Sequence, residues 1–183
     1  MEFGFSERKT TEAAARLLRL AGGEMDLIVL LKLLYLADRR ALVERGMPIT
    51  GDRMVSMRKG PVLARVYDAS KGKWVGMPSW HTFVSRPKDG DPDKPVQLLQ
   101  EPPADGALSD YEIDLLAQVH AQYGHKDKWD LSELTHNFPE YRFPGDSVLP
   151  IDPRVILKSE GKSVEDIAWV EDLARTARAA VSR

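Results

Sequence analysis

The 183 residues contain no cysteine. That excludes disulfides, thiolate metal sites and a thiol nucleophile, and it suits a reducing cytoplasm. Histidine is scarce. Of His81, His120, His125 and His136, none forms a His-Glu-x-x-His pair, and His120 and His125, five apart, fall off a shared helical face. No phosphate-cradling glycine loop and no Gly-x-Ser-x-Gly elbow occurs. Asp89, Asp91 and Asp93 alternate like the start of a calcium loop, but Lys94 and Gln100 stand where the turn glycine and bidentate glutamate belong, so a solvated loop is expected. The longest apolar run, "LIVLLKLLYLA", is interrupted by Lys32 and falls short of the roughly 20 residues a membrane span needs. The opening "MEFGFSERKTTEAA" has no apolar signal region. A net charge of −2 denies the chain a general basic field for nucleic acid or anionic lipid. These absences together predict a cytoplasmic protein that is not an enzyme, carries no cofactor or metal, and has no membrane partner.

What is present reads as one globular domain over residues 1–183, with 43% hydrophobic residues to fill a core. The expected fold class is α+β, mainly α: a compact helical domain with a small antiparallel sheet inserted mid-chain. A first helix is predicted from about Thr10 to Ala21 on the spacing of Ala14, Leu17, Leu18 and Ala21, stopped by Gly22-Gly23. The second begins with Asp26 as N-cap, with Met25 and Leu30 spaced for a hydrophobic staple, and ends before Gly46 and Pro48. Its first half is apolar nearly all round, the mark of a central helix packed on several sides. "ITGDRMVSM", "SWHTFVSR" and "VQLLQ" read as strands, and "PKDGDPDKP" as an exposed loop. Ser109 and Glu112 form a capping box for a later helix, "DLSELTH" is a short one, and a last helix runs from about Val164 to Val181 and should pack on the rest. Trp74, Trp80, Trp129 and Trp169 are expected in the core or at its edge, although a tryptophan in a segment such as "GKWVGMPSW" could equally anchor an interface.

Gly60-Pro61 reads as a helix start, because proline at the first helical position loses only an orphan N–H. Arg58 and Lys59 immediately before it are then odd, since a helix N-terminus favours acids. Either the two cations project into water or they form an anion-attracting spot with the helix end.

Two stretches, "KLLYLADRRALVERGMPITGDRMVSMRKGPVLARVYD" and "LSDYEIDLLAQVHAQYGHKDKWDLSELTHNFPEY", resemble the SocA-like antitoxin domain, or Panacea, of bacterial and phage proteins. The matching residues are Lys32, Leu33, Leu34, Tyr35 and Asp38; Gly46, Pro48, Ile49 and Gly51; Gly60, Pro61, Val62 and Tyr67; and Thr135, His136 and Pro139. They span a family-like core of about 10–145. Lys59, Ala64 and Tyr141 depart from the family's more frequent residues. The resemblance implies a non-enzymatic antitoxin that neutralises a co-encoded toxin by direct binding. In the SocA branch it further implies an adaptor that delivers the toxin to ClpX of the ClpXP protease.

On the second helix Lys32, Tyr35 and Arg39 share one stripe with Asp38 beside them. Lys32 either snorkels outward or meets a carboxylate, since an unpaired lysine among leucines is costly. The candidate partner-binding residues are therefore Lys32, Tyr35, Asp38, Arg39, Arg58, Lys59 and Trp74; Gly60, Pro61, Val62, Thr135 and His136 are read as a structural motif. A DNA-binding repressor is the competing reading, with "YEIDLLAQVHAQYGHKDKWDLSELTH" as helix-turn-helix. Asp130 and Glu133 sit poorly on a recognition helix, so nucleic-acid binding by the isolated protein is not expected.

Overall fold

The structure is a computed structural model that describes residues 1–72, 77–91, 93–103 and 106–181. Trp74 lies outside the described residues. In chain order the elements are α1 (Glu7–Leu20), β1 (Glu24–Asp26), α2 (Leu27–Arg45), β2 (Met54–Met57), β3 (Gly60–Leu63), α3 (Ala64–Ser70), α4 (Pro78–Phe83), β4 (Pro95–Gln97), α5 (Asp110–Tyr123), α6 (Lys128–His136), β5 (Leu149–Pro150), α7 (Pro153–Ser159) and α8 (Val164–Val181). The fold is mainly α, with two small antiparallel sheets, ordered β1-β4 and β3-β2-β5.

Helix α2 is the axis. Leu27 to Asp38 are all buried, because α1, α5, α6, α7, β1 and β3 surround the helix. A helix apolar on every side has no face to give to water, so its neighbours close around it. Gly46 ends α2 in the left-handed conformation, φ 73°, and a side chain there would meet Trp169 and Val170 of α8. Ile167 and Val170 of α8 join the same core as α2. The capping box of α5 forms as read: Ser109 Oγ accepts from the Glu112 amide, and Glu112 accepts from the Ser109 amide at 2.8 Å.

Several expectations need correction. Pro61 opens no helix: Gly60–Leu63 is a strand, with Pro61 opposite Ser56. An edge position tolerates a residue without an N–H, and β3 is an edge strand. The helix starts later, at Ala64, and its first amides are satisfied from a distance: Asp52 accepts from the Arg65 and Val66 amides at 2.8 and 3.1 Å. "SWHTFVSR" is largely helix α4 and not a strand, since Pro78 starts it and Trp80 and Val84, four apart, are both buried. Asp26 makes no side-chain cap; it belongs to β1, which pairs with β4. Strand β5 and helix α7 have no counterpart among the elements expected from the sequence. Finally, Trp129 and Trp169 are 63% and 57% exposed, so of the described tryptophans only Trp80 is core. No helix among the described residues is long and apolar enough to cross a membrane.

Candidate functional site

Residues from three distant stretches converge on Gly60. The Lys32 ammonium donates to the Pro61 carbonyl at 2.9 Å. A Cβ on Gly60 would lie 2.4 Å from Lys32 Nζ, 2.8 Å from Thr135 Oγ1 and 3.1 Å from His136 Cδ2. Gly60 also has φ 99°, which L side chains resist. Glycine is therefore required twice over, for its backbone angle and for the room it leaves. The structural motif read from sequence is a single junction: α2 reaches it through Lys32, β3 through Gly60 and Pro61, and α6 through Thr135 and His136. His136 stacks on Tyr141 with ring centroids 4.5 Å apart, and Tyr141 donates to the Met57 carbonyl at 3.2 Å. The loop after α6 is thereby fixed along β2.

The stripe expected on the surface of α2 is mostly internal. Lys32, Tyr35 and Asp38 are fully buried. Lys32 neither snorkels nor meets a carboxylate; its partner is a backbone carbonyl. The Tyr35 hydroxyl donates to Glu140 at 2.8 Å, and Arg39 donates to Glu140 at 2.7 Å and to Glu160 at 2.8 Å. Burial, and then the Glu140 charge, push the Tyr35 phenol well above its ordinary range. Asp38 accepts from the Thr50 amide at 2.9 Å and from the Thr50 hydroxyl, tying the loop after α2 back onto the helix. As surface contacts for a partner, Lys32, Tyr35 and Asp38 are corrected: they hold the scaffold. Glu140 and Thr50 escape a sequence reading because they lie far from the stripe they satisfy.

Arg58 and Lys59 occupy the tip of the β2–β3 hairpin, between Met57 and its partner Gly60. Neither takes a positive φ; Gly60, next along, supplies the left-handed residue. No helix starts at Gly60-Pro61, so the local electrostatic puzzle disappears. Both are exposed. Arg58 sits 3.5 Å from Asp146, and Lys59 donates to Asp93 at 2.8 Å, with Lys128 sharing that carboxylate at 3.4 Å. The loop read as merely solvated thus supplies Asp93 to the hairpin tip. Trp129 lies beside it, its ring centroid 5.9 Å from Lys59 Nζ and 5.6 Å from Lys128 Nζ. Among the described residues no group of acids and histidines is arranged to hold a metal ion.

Burial sets two opposed titrations. It lowers the Lys32 ammonium from 10.5 to about 7. It raises Asp38 from 3.8 to about 7, against the hydrogen bonds from Thr50. Between pH 7 and 10.5 the unfolded chain keeps the Lys32 proton while the folded chain has released it, so stability rises with pH across that window. Asp38 acts with the opposite sign and at lower pH: its contribution is present below pH 3.8 and lost as pH rises to about 7. Comparing the wild type with Lys32→Met cancels the Asp38 contribution, which both chains carry. Denaturant unfolding of the pair should show the wild type gaining on the variant from pH 7 to 10. A constant difference across that range would mean that Lys32 is not desolvated in the folded state.

The model of the family described as "Antitoxin SocA-like, Panacea domain" matches residues 30–141, more than half of the chain. No curated protein and no solved structure matches it. The matched span runs from α2 through the hairpin to the end of α6 and encloses the whole Gly60 junction, and the chain belongs to the SocA-like, Panacea-domain antitoxin family.

Proposed function

We propose that this chain neutralises the product of a neighbouring gene by binding it directly, without catalysis, in the cytoplasm. The family match carries the reading, since it makes a toxin the general class of partner. The exposed tip of the β2–β3 hairpin, with Trp129 beside it, is the face that supports it best. An exposed tryptophan and an exposed arginine, Trp129 and Arg58, are residue types that protein interfaces enrich at their anchors. The exposed Asp130 and Glu133 on α6 favour a protein over a DNA partner there. Following the SocA branch, the bound toxin is then delivered to ClpX of the ClpXP protease.

Co-expression with the neighbouring reading frame should restore growth, and the two proteins should co-purify. Rescue through lowered transcription alone, with no complex, would reject the binding reading in favour of a repressor. The adaptor step is read separately: with ClpX depleted, the toxin should persist although the complex still forms.

A further inference from the structure

A groove of about 190 Å³ opens beside the hairpin tip. Its walls are apolar, from Ile28, Leu31, Val62 and Tyr67, and it has room for one leucine-sized side chain. Its charged lining residues are all cationic: Arg58 and Lys59 at the tip and Lys32 beneath. Lys32 is the informative one. It is wholly buried, it makes one hydrogen bond where an ammonium can make three, and it has no carboxylate partner among the described residues. A buried cation is ordinarily paired, because its desolvation is otherwise uncompensated. Left unpaired, Lys32 is a cation only in part at neutral pH, since burial lowers it to about 7, and an arriving carboxylate would favour its charged form.

The tip cations have partners, but replaceable ones. Arg58 and Asp146 are both largely exposed at 3.5 Å, and Lys59 and Lys128 divide a single carboxylate, Asp93. Exposed pairs of this kind contribute little to stability, so an arriving carboxylate can exchange with them at small cost. Trp129 extends the surface past Lys59 as an exposed apolar plane. Apolar walls, a cationic rim and an unpaired amine below select one chemistry: an apolar side chain with carboxylates on either side of it.

We infer that this groove is the docking site for an acidic segment of the toxin, whose apolar side chain enters between Ile28 and Tyr67 while its flanking carboxylates meet Arg58 and Lys59. The identification of the occupant as the toxin rests on the antitoxin reading above; the chemistry of the groove does not. Arg58 and Lys59 then steer association, as rim charges do, and the apolar insertion sets residence time.

The test uses the full chain and a capped pentapeptide, a central leucine with two acidic residues on each side, followed by amide-resolved NMR titration. Two control peptides replace the four acids by their amides or the leucine by alanine, and hexanoate serves as a free-acid probe. The acidic leucine peptide should shift signals of residues 58–62 and bind at least tenfold more tightly than either control peptide and than hexanoate. Arg58→Glu together with Lys59→Glu should weaken it tenfold or more while the thermal midpoint stays within a few degrees, since both side chains are exposed. Equal binding of the amide peptide would remove the electrostatic selection and overturn the proposal. Binding of hexanoate as tight as the peptide would make this a small-acid site and overturn it equally. No saturable binding at the groove overturns it too, and a toxin complex that still co-purifies would then leave the antitoxin reading standing on another surface.

Discussion

Gly60→Ala should be among the most damaging single-methyl additions in the chain, costing about 2–5 kcal/mol in equilibrium unfolding. Two separate penalties meet at this position. The backbone holds φ 99°, where a Cβ is strained by about 1–2 kcal/mol in the left-handed region. The added methyl would also stand 2.4 Å from Lys32 Nζ, so the ammonium must leave the Pro61 carbonyl or the strand must shift. A buried donor that loses its acceptor costs a further ~1–3 kcal/mol. The two penalties can be separated by a double-mutant cycle with Lys32→Ala. In the Lys32→Ala background the methyl meets no ammonium, so the backbone penalty and the 2.8 Å approach to Thr135 Oγ1 should remain while the part that comes from Lys32 disappears. Full additivity of the two changes would show that Lys32 does not depend on the absence of a side chain at Gly60.

The same junction shows what a sequence can and cannot disclose. Helix α2 was legible, since an apolar run of that length with a glycine after it leaves few alternatives. The Ser109–Glu112 capping box and helix α8 are equally local signals, and both form as expected. Gly60-Pro61-Val62 was recognisable as a structural motif, but its state was not. The reason is that proline after glycine suits a helix start and an edge strand alike, and the choice was made by pairing with Met54–Met57 and by Asp52 capping the later helix. Partners far apart in sequence account for the other differences. Nothing near Lys32, Tyr35 or Asp38 announces that Pro61, Glu140 and Thr50 will receive them, so a stripe of polar residues on an otherwise apolar helix reads as surface. Its position within an all-round apolar helix was the better guide, because such a helix offers no surface for a stripe to occupy. The hairpin tip illustrates the converse. Arg58 and Lys59 precede a strand and not a helix start, and they nevertheless mark an exposed cationic edge beside Trp129. For α7 a signal was present, since Asp152 before Pro153 caps the helix by accepting from the Arg154 amide at 3.0 Å.

Leu34→Ala tests the placement of α2 itself. Leu34 is 1% exposed in a helix enclosed by α1, α5, α6, α7 and β3, so its removal deletes buried methyl groups that no solvent can replace. The expected loss is about 2–5 kcal/mol, the sum of lost transfer free energy and of the cavity left behind. The upper part of that range is expected here, because a helix clamped on several sides cannot slide to close the void. Its neighbours are in turn pinned by Asp38 to Thr50 and by Glu140 to Tyr35 and Arg39. Leu20 provides the internal comparison: it ends α1 at 43% exposure, so Leu20→Ala removes the same atoms from a half-solvated site and should cost below about 1 kcal/mol. Denaturant unfolding with unchanged slope would report both losses on one scale. Similar losses for the two variants would mean that Leu34 faces solvent as Leu20 does. The Gly60 junction, which hangs from the same helix through Lys32, would then have to be redrawn.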